Sequence, residues 1–176
     1  MELKDAVALI NHPKVSSGPA GAHWADLGAG SGLFSRALGQ LLGPGSVIYP
    51  VDRDRLGNFP DIPEGVRVLP RSLDFERDSW QTGKLDGILM ANSLHYVADK
   101  PSFLTLAKSY LNPGGVLLIV EYDSDIPVPR WVPYPLSFST ARDLLATAGF
   151  EAVSRISRRP SLFGRASLYS MVAQRP

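Results

Sequence analysis

His23-Trp24-Ala25-Asp26-Leu27-Gly28-Ala29-Gly30-Ser31-Gly32-Leu33-Phe34 is the stretch whose reading decides the fold. It reads as a short buried strand that runs into a glycine turn. A helical pattern of Phe34, Ala37, Leu38, Leu41 and Leu42 follows at once. Glycines at alternate positions carry no Cβ, so the turn Gly28-Ala29-Gly30-Ser31-Gly32 lets the backbone approach a ligand closely. The helix beyond points free N–H groups and the positive end of its dipole at whatever lies over the turn. Each glycine costs about 1 kcal/mol relative to alanine in an ordered element, which argues for a role beyond turning. A tight strand–helix turn without a ligand is the plain alternative.

Spacing narrows the ligand. A dinucleotide fingerprint needs G-x-G-x-x-G; here the third place falls on Leu33, and the glycine comes one residue early, at Gly32. No Gly-Lys-Ser/Thr follows, so a P-loop is excluded. Asp26, two residues before the first glycine, repels a phosphate and suits a ligand carrying an ammonium group.

At 176 residues the chain has the length of one domain with a proper core, expected to span 1–176, with a short N-terminal helix and loop over 1–21 and the core over 22–176. Hydrophobic residues make up 44% and charged residues 20%, an ordinary globular balance. The absence of cysteine excludes disulfides, thiolate metal sites and a thiol nucleophile. His12, His23 and His95 show no metal-ligand spacing, so no metal is expected. No leader-like N-terminus or membrane-length apolar run appears, and a cytoplasmic protein with no membrane span is expected. The net charge of +1 hides an asymmetry: residues 130–176 carry seven arginines against Asp143 and Glu151. Such a basic third suits an anionic partner, or is simply a solvated face.

Along the chain, Glu2–Asn11 has one apolar helical face, stopped at Pro13. Strands are expected at Ala22–Leu27, Ser46–Val51, Val66–Pro70, Leu85–Met90 and Val116–Glu121, with helices at Gly32–Leu42, Lys100–Leu111 and Ser139–Ala148. A short broken helix is expected at Arg53–Phe59, a capping box from Thr140 to Asp143, and a Gly149 C-cap. Phe150–Ser157 and Ser167–Gln174 read as closing strands around a Pro160–Arg165 turn. Strands alternating with helices predict an α/β fold: a Rossmann-like, mostly parallel sheet with helices on both faces and an antiparallel strand at the edge.

The motif D-x-G-x-G-x-G at Asp26–Gly32 resembles the first motif of the class I S-adenosylmethionine-dependent methyltransferases. The whole succession resembles their seven-strand fold, most of all the small ubiquinone/menaquinone-biosynthesis-type enzymes. Asp52, Ala91-Asn92-Ser93-Leu94-His95, Leu111-Asn112-Pro113-Gly114-Gly115 and Ala148-Gly149-Phe150 carry the likeness. It implies S-adenosylmethionine as cofactor and methyl transfer as activity.

Ligands of open α/β sheets bind beyond the carboxyl ends of the strands. The strand-end residues here are Asp26, Asp52, Asp74, Asn92 and Glu121, expected together at one rim. Asp52, 22 residues after Gly30, suits two ribose hydroxyls, or else caps the stretch after it. The resemblance implies the ribose role as well, with Arg53 beside the adenine, Asp74 at its amino group, and Leu73 and Phe75 at its faces. A plain turn is the other reading of Asp74. Asn92, His95 and Tyr96 follow the central strand and are expected nearest the reacting methyl. Histidine is the residue type suited to general-base work near neutral pH, so His95 reads as a base, or else only shapes the pocket. Tyr96 reads as a wall more than a catalyst. Glu121 reads as an acceptor ligand, an alternative base, or a cap on a backbone N–H. Arg130, Trp131 and Tyr134 lie in the stretch that the family uses for the acceptor, where an arginine among aromatics suits an anionic planar compound; a packed proline loop is the alternative.

A small or medium organic acceptor is therefore expected. Larger relatives roof the site with an N-terminal cap and an insertion, which this chain has only in short form. An open site, a large partner, or closure by a second subunit or homodimer follows from that. A cofactor-binding module working on or with RNA or protein is the alternative function. A nucleic-acid base target is disfavoured, because Asn92 is followed by Ser93-Leu94-His95 and not by Pro-Pro-Tyr.

Overall fold

The computed structural model describes residues 1–54, 56–160 and 167–176. Among them, the strands are β1 (His23–Leu27), β2 (Val47–Asp52), β3 (Arg67–Val68), β4 (Arg71–Ser72), β5 (Leu85–Ala91), β6 (Leu111–Tyr122), β7 (Glu151–Pro160) and β8 (Ser167–Gln174). The α-helices are α1 (Leu3–Ile10), α2 (Pro13–Ser16), α3 (Leu33–Gly39), α4 (Lys100–Tyr110) and α5 (Phe138–Thr147), with a 3₁₀ turn at Leu94–Tyr96. One sheet runs in the order β3-β2-β1-β5-β6-β8-β7. The pairings from β3 to β6 are parallel, while β8 is antiparallel to both β6 and β7. The mostly parallel α/β expectation holds.

Strand alternation sorts side chains to the two faces. Trp24, Ile48, Leu89, Leu118 and Val120 pack under α1 and α3, with Ala6, Leu9, Phe34 and Leu38. Ala25, Leu27, Ile88, Met90, Leu117 and Ile119 pack on the other face, against Phe103 and Leu104 of α4 and Ala141 and Leu145 of α5. Two-period spacing therefore sends Asp26 to the α3 side and Glu121 to the α4 side. That division positions the site.

Several local expectations are corrected. Pro13 does not merely end α1; it opens α2, whose His12 N-cap accepts from the Lys14 N–H at 3.2 Å. α3 stops at Gly39, and the N–H groups of Leu41 and Leu42 both turn back to Leu38. The third strand is split into β3 and β4, both paired with β2, because Pro70 between them has no N–H for the ladder. No helix occupies the described part of 53–59: Gly57 lies against the glycine turn, donating to the Gly30 carbonyl at 3.4 Å. Its Arg55, and residues 161–165 of the expected closing turn, lie outside the described residues; Pro160 ends β7. β6 starts at Leu111, where a register shift against β5 absorbs the Asn-Pro-Gly-Gly turn. The cap of α5 is Ser137, not Thr140: its side chain accepts from the Thr140 N–H. Gly149 has φ +75°, as a helix-ending glycine should.

Candidate functional site

The glycine turn is stitched to the end of β2. Gly28 and Ala29 donate to the Val51 carbonyl at 2.8 and 3.1 Å, and Gly30 donates to Asp52 Oδ2 at 2.8 Å. All three glycines have positive φ, but they do different work. A Cβ on Gly28 would lie 2.5 Å from the Cβ of Ser93, and one on Gly32 would lie 2.6 Å from the Phe59 ring. A Cβ on Gly30 would meet nothing within 4 Å. The expectation that all three expose the backbone to a ligand is therefore corrected. Gly28 and Gly32 admit neighbouring side chains, and Gly30 alone borders open space.

Two of the five strand-end residues are covered. Asp26 is 1% exposed and lies on the α3 face, accepting from Ser35 Oγ at 2.6 Å. Burial pushes its carboxyl up to about 7; the Ser35 hydroxyl opposes the rise and the Asp52 charge adds to it. Glu121, also 1% exposed, lies on the α4 face. Both were expected at the rim because a strand's last residues were read as its open end. Here flanking strands and helices cover both positions.

Asp52, Asp74 and Asn92, at the carboxyl ends of the neighbouring strands, are only half-buried. Asp52 accepts from Gly30 through Oδ2 and from the Asp54 N–H through Oδ1 at 3.0 Å. Each carboxylate oxygen keeps a further lone pair. Arg53 is exposed beside it. Leu73 donates to the Asp52 carbonyl at 3.1 Å, which carries the 73–75 turn next to Asp52. Asp74 closes its own turn, accepting from Glu76 N–H at 3.0 Å, with Arg77 at 3.8 Å. Phe75 sits edge-on to Phe103, with ring centroids 5.7 Å apart.

Beyond β5, Asn92 has φ +54° and a buried Oδ1 with no hydrogen-bond partner. Ser93 turns inward, donating to the Leu27 carbonyl at 2.6 Å. His95 is 2% exposed and held by both oxygens of Glu121. Its backbone N–H donates to Oε1 at 3.1 Å, and its ring Nδ1 lies 2.7 Å from Oε2. A carboxylate only accepts, so Nδ1 carries the proton, and in the neutral ring Nε2 holds the lone pair. Nε2 is buried and has no hydrogen-bond partner. The Tyr96 ring lies 4.3 Å from that of His95 and is 46% exposed.

The loop after β6 is tied down at both ends. Asp123 and Asp125 accept from the N–H groups of Phe138 and Ser137 at 2.9 and 2.7 Å. Within it, Val128 and Val132 form a small antiparallel bridge, with Arg130 at φ +69° in the turn between them. Tyr134 donates its N–H to the His95 carbonyl at 3.0 Å, joining this loop to the end of β5. Trp131 is 74% exposed, so it is not part of a packed proline loop. The structure thus brings Tyr134 to His95 and leaves Arg130 and Trp131 at the tip.

Lys100 stands beside this group without any signal in the sequence. Its Nζ donates to the carbonyls of Val97 at 2.9 Å and Tyr134 at 2.7 Å. In the sequence it reads only as the first residue of a helix after Asp99, and its partner Tyr134 is 34 positions away. Among the described residues, no group of three or more acids and histidines could hold a metal ion, and no helix is long and apolar enough to cross a membrane.

A glycine turn after β1, an acid ending β2 and a buried polar pair at the ends of β5 and β6 are thus set on a Rossmann-like sheet. The chain belongs to the methyltransferase domain family, whose model matches residues 4–175, a family that uses S-adenosylmethionine. It is 28% identical over 106 residues to the ubiquinone biosynthesis O-methyltransferase of Xanthomonas axonopodis pv. citri, a match covering 57% of this chain and 43% of that protein. The chain thus spans less than half the length of that curated relative. Its fold is similar to that of Burkholderia thailandensis 1,6-didemethyltoxoflavin-N1-methyltransferase, solved with bound 1,6-didemethyltoxoflavin and S-adenosylhomocysteine (TM-score 0.72, 21% identity, 98% of this chain, 77% of that one). It is also similar to human N-acetylserotonin methyltransferase in complex with its methyl donor (TM-score 0.62, 20% identity, 98% of this chain, 55% of that one).

Proposed function

We propose that the protein transfers a methyl group from S-adenosylmethionine to a small organic acceptor that loses a proton on attack, with His95 as the base. The observation that carries this reading is the buried, unpartnered Nε2 of a histidine whose other nitrogen rests on Glu121 at 2.7 Å. An orphaned buried polar atom costs about 1–3 kcal/mol, so it argues for a ligand that satisfies it.

The residues fit the cofactor. The backbone of Gly28–Gly32 gives the cradle, with open space only over Gly30. Asp52 has free lone pairs for the ribose hydroxyls, and the Asn92 Oδ1 is an acceptor in want of a donor, such as an ammonium. Asp26 supports the turn from beneath, through Ser35. Arg53, Leu73, Asp74 and Phe75 flank the adenine end. When bound, S-adenosylmethionine supplies a methyl on a positively charged sulfur, which keeps the C–S electron pair as the methyl leaves. Nε2 of His95 accepts the acceptor's proton, and Glu121 holds the ring in the tautomer needed and stabilises the imidazolium formed. Tyr96, Trp131 and Tyr134 offer aromatic surface around the acceptor, which must be held about 3 Å from the methyl and in line with it. Glu121 serves as a positioning residue and not as a second base, since both its oxygens face His95.

Titration with S-adenosylhomocysteine and with NAD, followed by kinetics of His95→Gln, tests the reading. S-adenosylhomocysteine should bind and NAD should not. The variant should keep that affinity, lose about 10²–10⁴-fold in turnover, and lose the low-pH limb of the rate profile. A wild-type rate independent of pH would remove His95 as the base.

A further inference from the structure

Lys100 is the residue the mechanism above leaves unused. It begins α4, is half-buried, and its Nζ is fixed between two carbonyls from different loops: Val97 at 2.9 Å and Tyr134 at 2.7 Å. Those carbonyls flank the candidate acceptor site, since Val97 follows the His95 turn and Tyr134 donates to the His95 carbonyl. Nζ also lies 5.5 Å from the centroid of the Tyr134 ring. An ammonium has three N–H donors, and two are used here. Among the described residues, no carboxylate lies within ion-pair distance of it, as Asp61 does of Arg36 and Asp5 of Arg159. Glu121 and Glu76 act on Lys100 only through space. Burial pulls its ammonium below the usual lysine range, against the opposing charges of Glu121 and Glu76.

A half-buried ammonium held between two carbonyls, with one N–H to spare, presents a fixed positive charge and a donor to a ligand beside it. Arg130 is the cation that sequence reading assigned to this task. It sits exposed in the turn of the loop, with no contact fixing its guanidinium among the described residues.

We infer that Lys100 forms an anion subsite beside His95, and that the methyl acceptor is a planar aromatic compound bearing a carboxylate, whose carboxylate meets Lys100 Nζ while its ring lies against Tyr134. One remaining N–H on a compact ammonium suits one carboxylate oxygen. Tyr134, 47% exposed, offers the ring surface next to it. The inference rests on the methyltransferase reading of the same site and adds the charge class of the acceptor.

The test uses the full chain loaded with S-adenosylhomocysteine. 3-Hydroxybenzoate and its neutral amide, 3-hydroxybenzamide, are titrated by calorimetry at pH 7.5. They match in shape and differ in charge. The acid should bind at least about tenfold more tightly than the amide, as expected for a charge-assisted contact. Lys100→Arg should keep most of this preference and Lys100→Met should abolish it, with S-adenosylhomocysteine affinity held in both. Equal binding of the two probes by the wild type, or no binding of either, overturns the inference, as does a preference that survives in Lys100→Met. Should Lys100→Met fold poorly after losing two carbonyl contacts, the wild-type comparison still decides. Failure of S-adenosylhomocysteine to bind the wild type would instead overturn the cofactor reading.

Discussion

Gly30→Ala separates the cradle from the scaffold. The Gly30 backbone is at φ +50°, and an added Cβ would meet nothing within 4 Å. The cost to folding is then the left-handed penalty alone, about 1–2 kcal/mol for a residue with a Cβ. For a chain of this size that lowers Tm by about 2–8 °C. Gly28→Ala carries the same penalty at φ +78° and drives a Cβ to 2.5 Å from the Ser93 Cβ, whose hydroxyl is pinned to the Leu27 carbonyl. Overpacking adds about 1–3 kcal/mol there, so its melting point should fall clearly further. Binding should separate from stability. The Gly30 methyl projects into the space that the cofactor would use, so S-adenosylhomocysteine should bind at least tenfold more weakly, about 1.4 kcal/mol, to a protein that is still folded. Thermal melts of both variants and calorimetric titration of Gly30→Ala make the comparison. Wild-type affinity in a folded Gly30→Ala would refute the reasoning, because the open space over Gly30 would then not be where the ligand lies.

Two further outcomes follow from the same turn. Asp52→Ala should weaken S-adenosylhomocysteine binding by about 1–3 kcal/mol in a titration, through loss of charge-assisted contacts to the ribose and of the Gly30 N–H anchor. Asp26→Asn should change how stability depends on pH: the folded carboxyl is raised from 3.8 to about 7, so the stability tied to its proton is fully present below pH 3.8 and is lost as pH rises through about 7. Chemical denaturation at pH 5 and pH 8 should show Asp26→Asn gaining relative to wild type at the higher pH, with a ceiling of about 3 kcal/mol between those two values; an unchanged difference would show that Asp26 is not buried as a proton-holding group.

Most of the fold was legible because it is written in local signals. The β1–glycine–α3 unit, the apolar run of β5 and the Gly149 cap each occupy a few consecutive residues whose chemistry permits little else. Errors came where a proline or a tertiary contact overrode the local pattern. Pro70 split one apolar run into β3 and β4, and Gly57, drawn onto the glycine turn, accompanies the loss of a helix that the 53–59 pattern had suggested. The α5 cap slipped from Thr140 to Ser137 because either hydroxyl fits the motif, and the Asp125 side chain reaches the Ser137 N–H. The strand-end acids failed for a different reason. A sequence gives a residue's place along a strand but not how far the neighbouring layers extend beyond it, so Asp26 and Glu121 looked like rim residues and lie under cover.

The same distinction divides the two halves of the site. The proposed cofactor half is made mainly of main chain: a turn of alternating glycines and one acid 22 residues after Gly30, fixed by the Gly30–Asp52 hydrogen bond. The other half is made of side chains that meet only after folding. His95 finds Glu121 across 26 residues, and Lys100 finds Tyr134 across 34. No periodicity announces either pair. Both pairs hang on the ends of β5 and β6 and on the loop beyond, whereas the glycine turn hangs on β1 and β2. Substitutions at Tyr134 can therefore change what lies beside His95 without disturbing the hydrogen bonds of the cradle. A sheet built this way can keep one methyl donor while its acceptor side changes, and the rigid pairs His95–Glu121 and Lys100–Tyr134, more than the loop's exposed tip, are where this chain's own acceptor preference would be set.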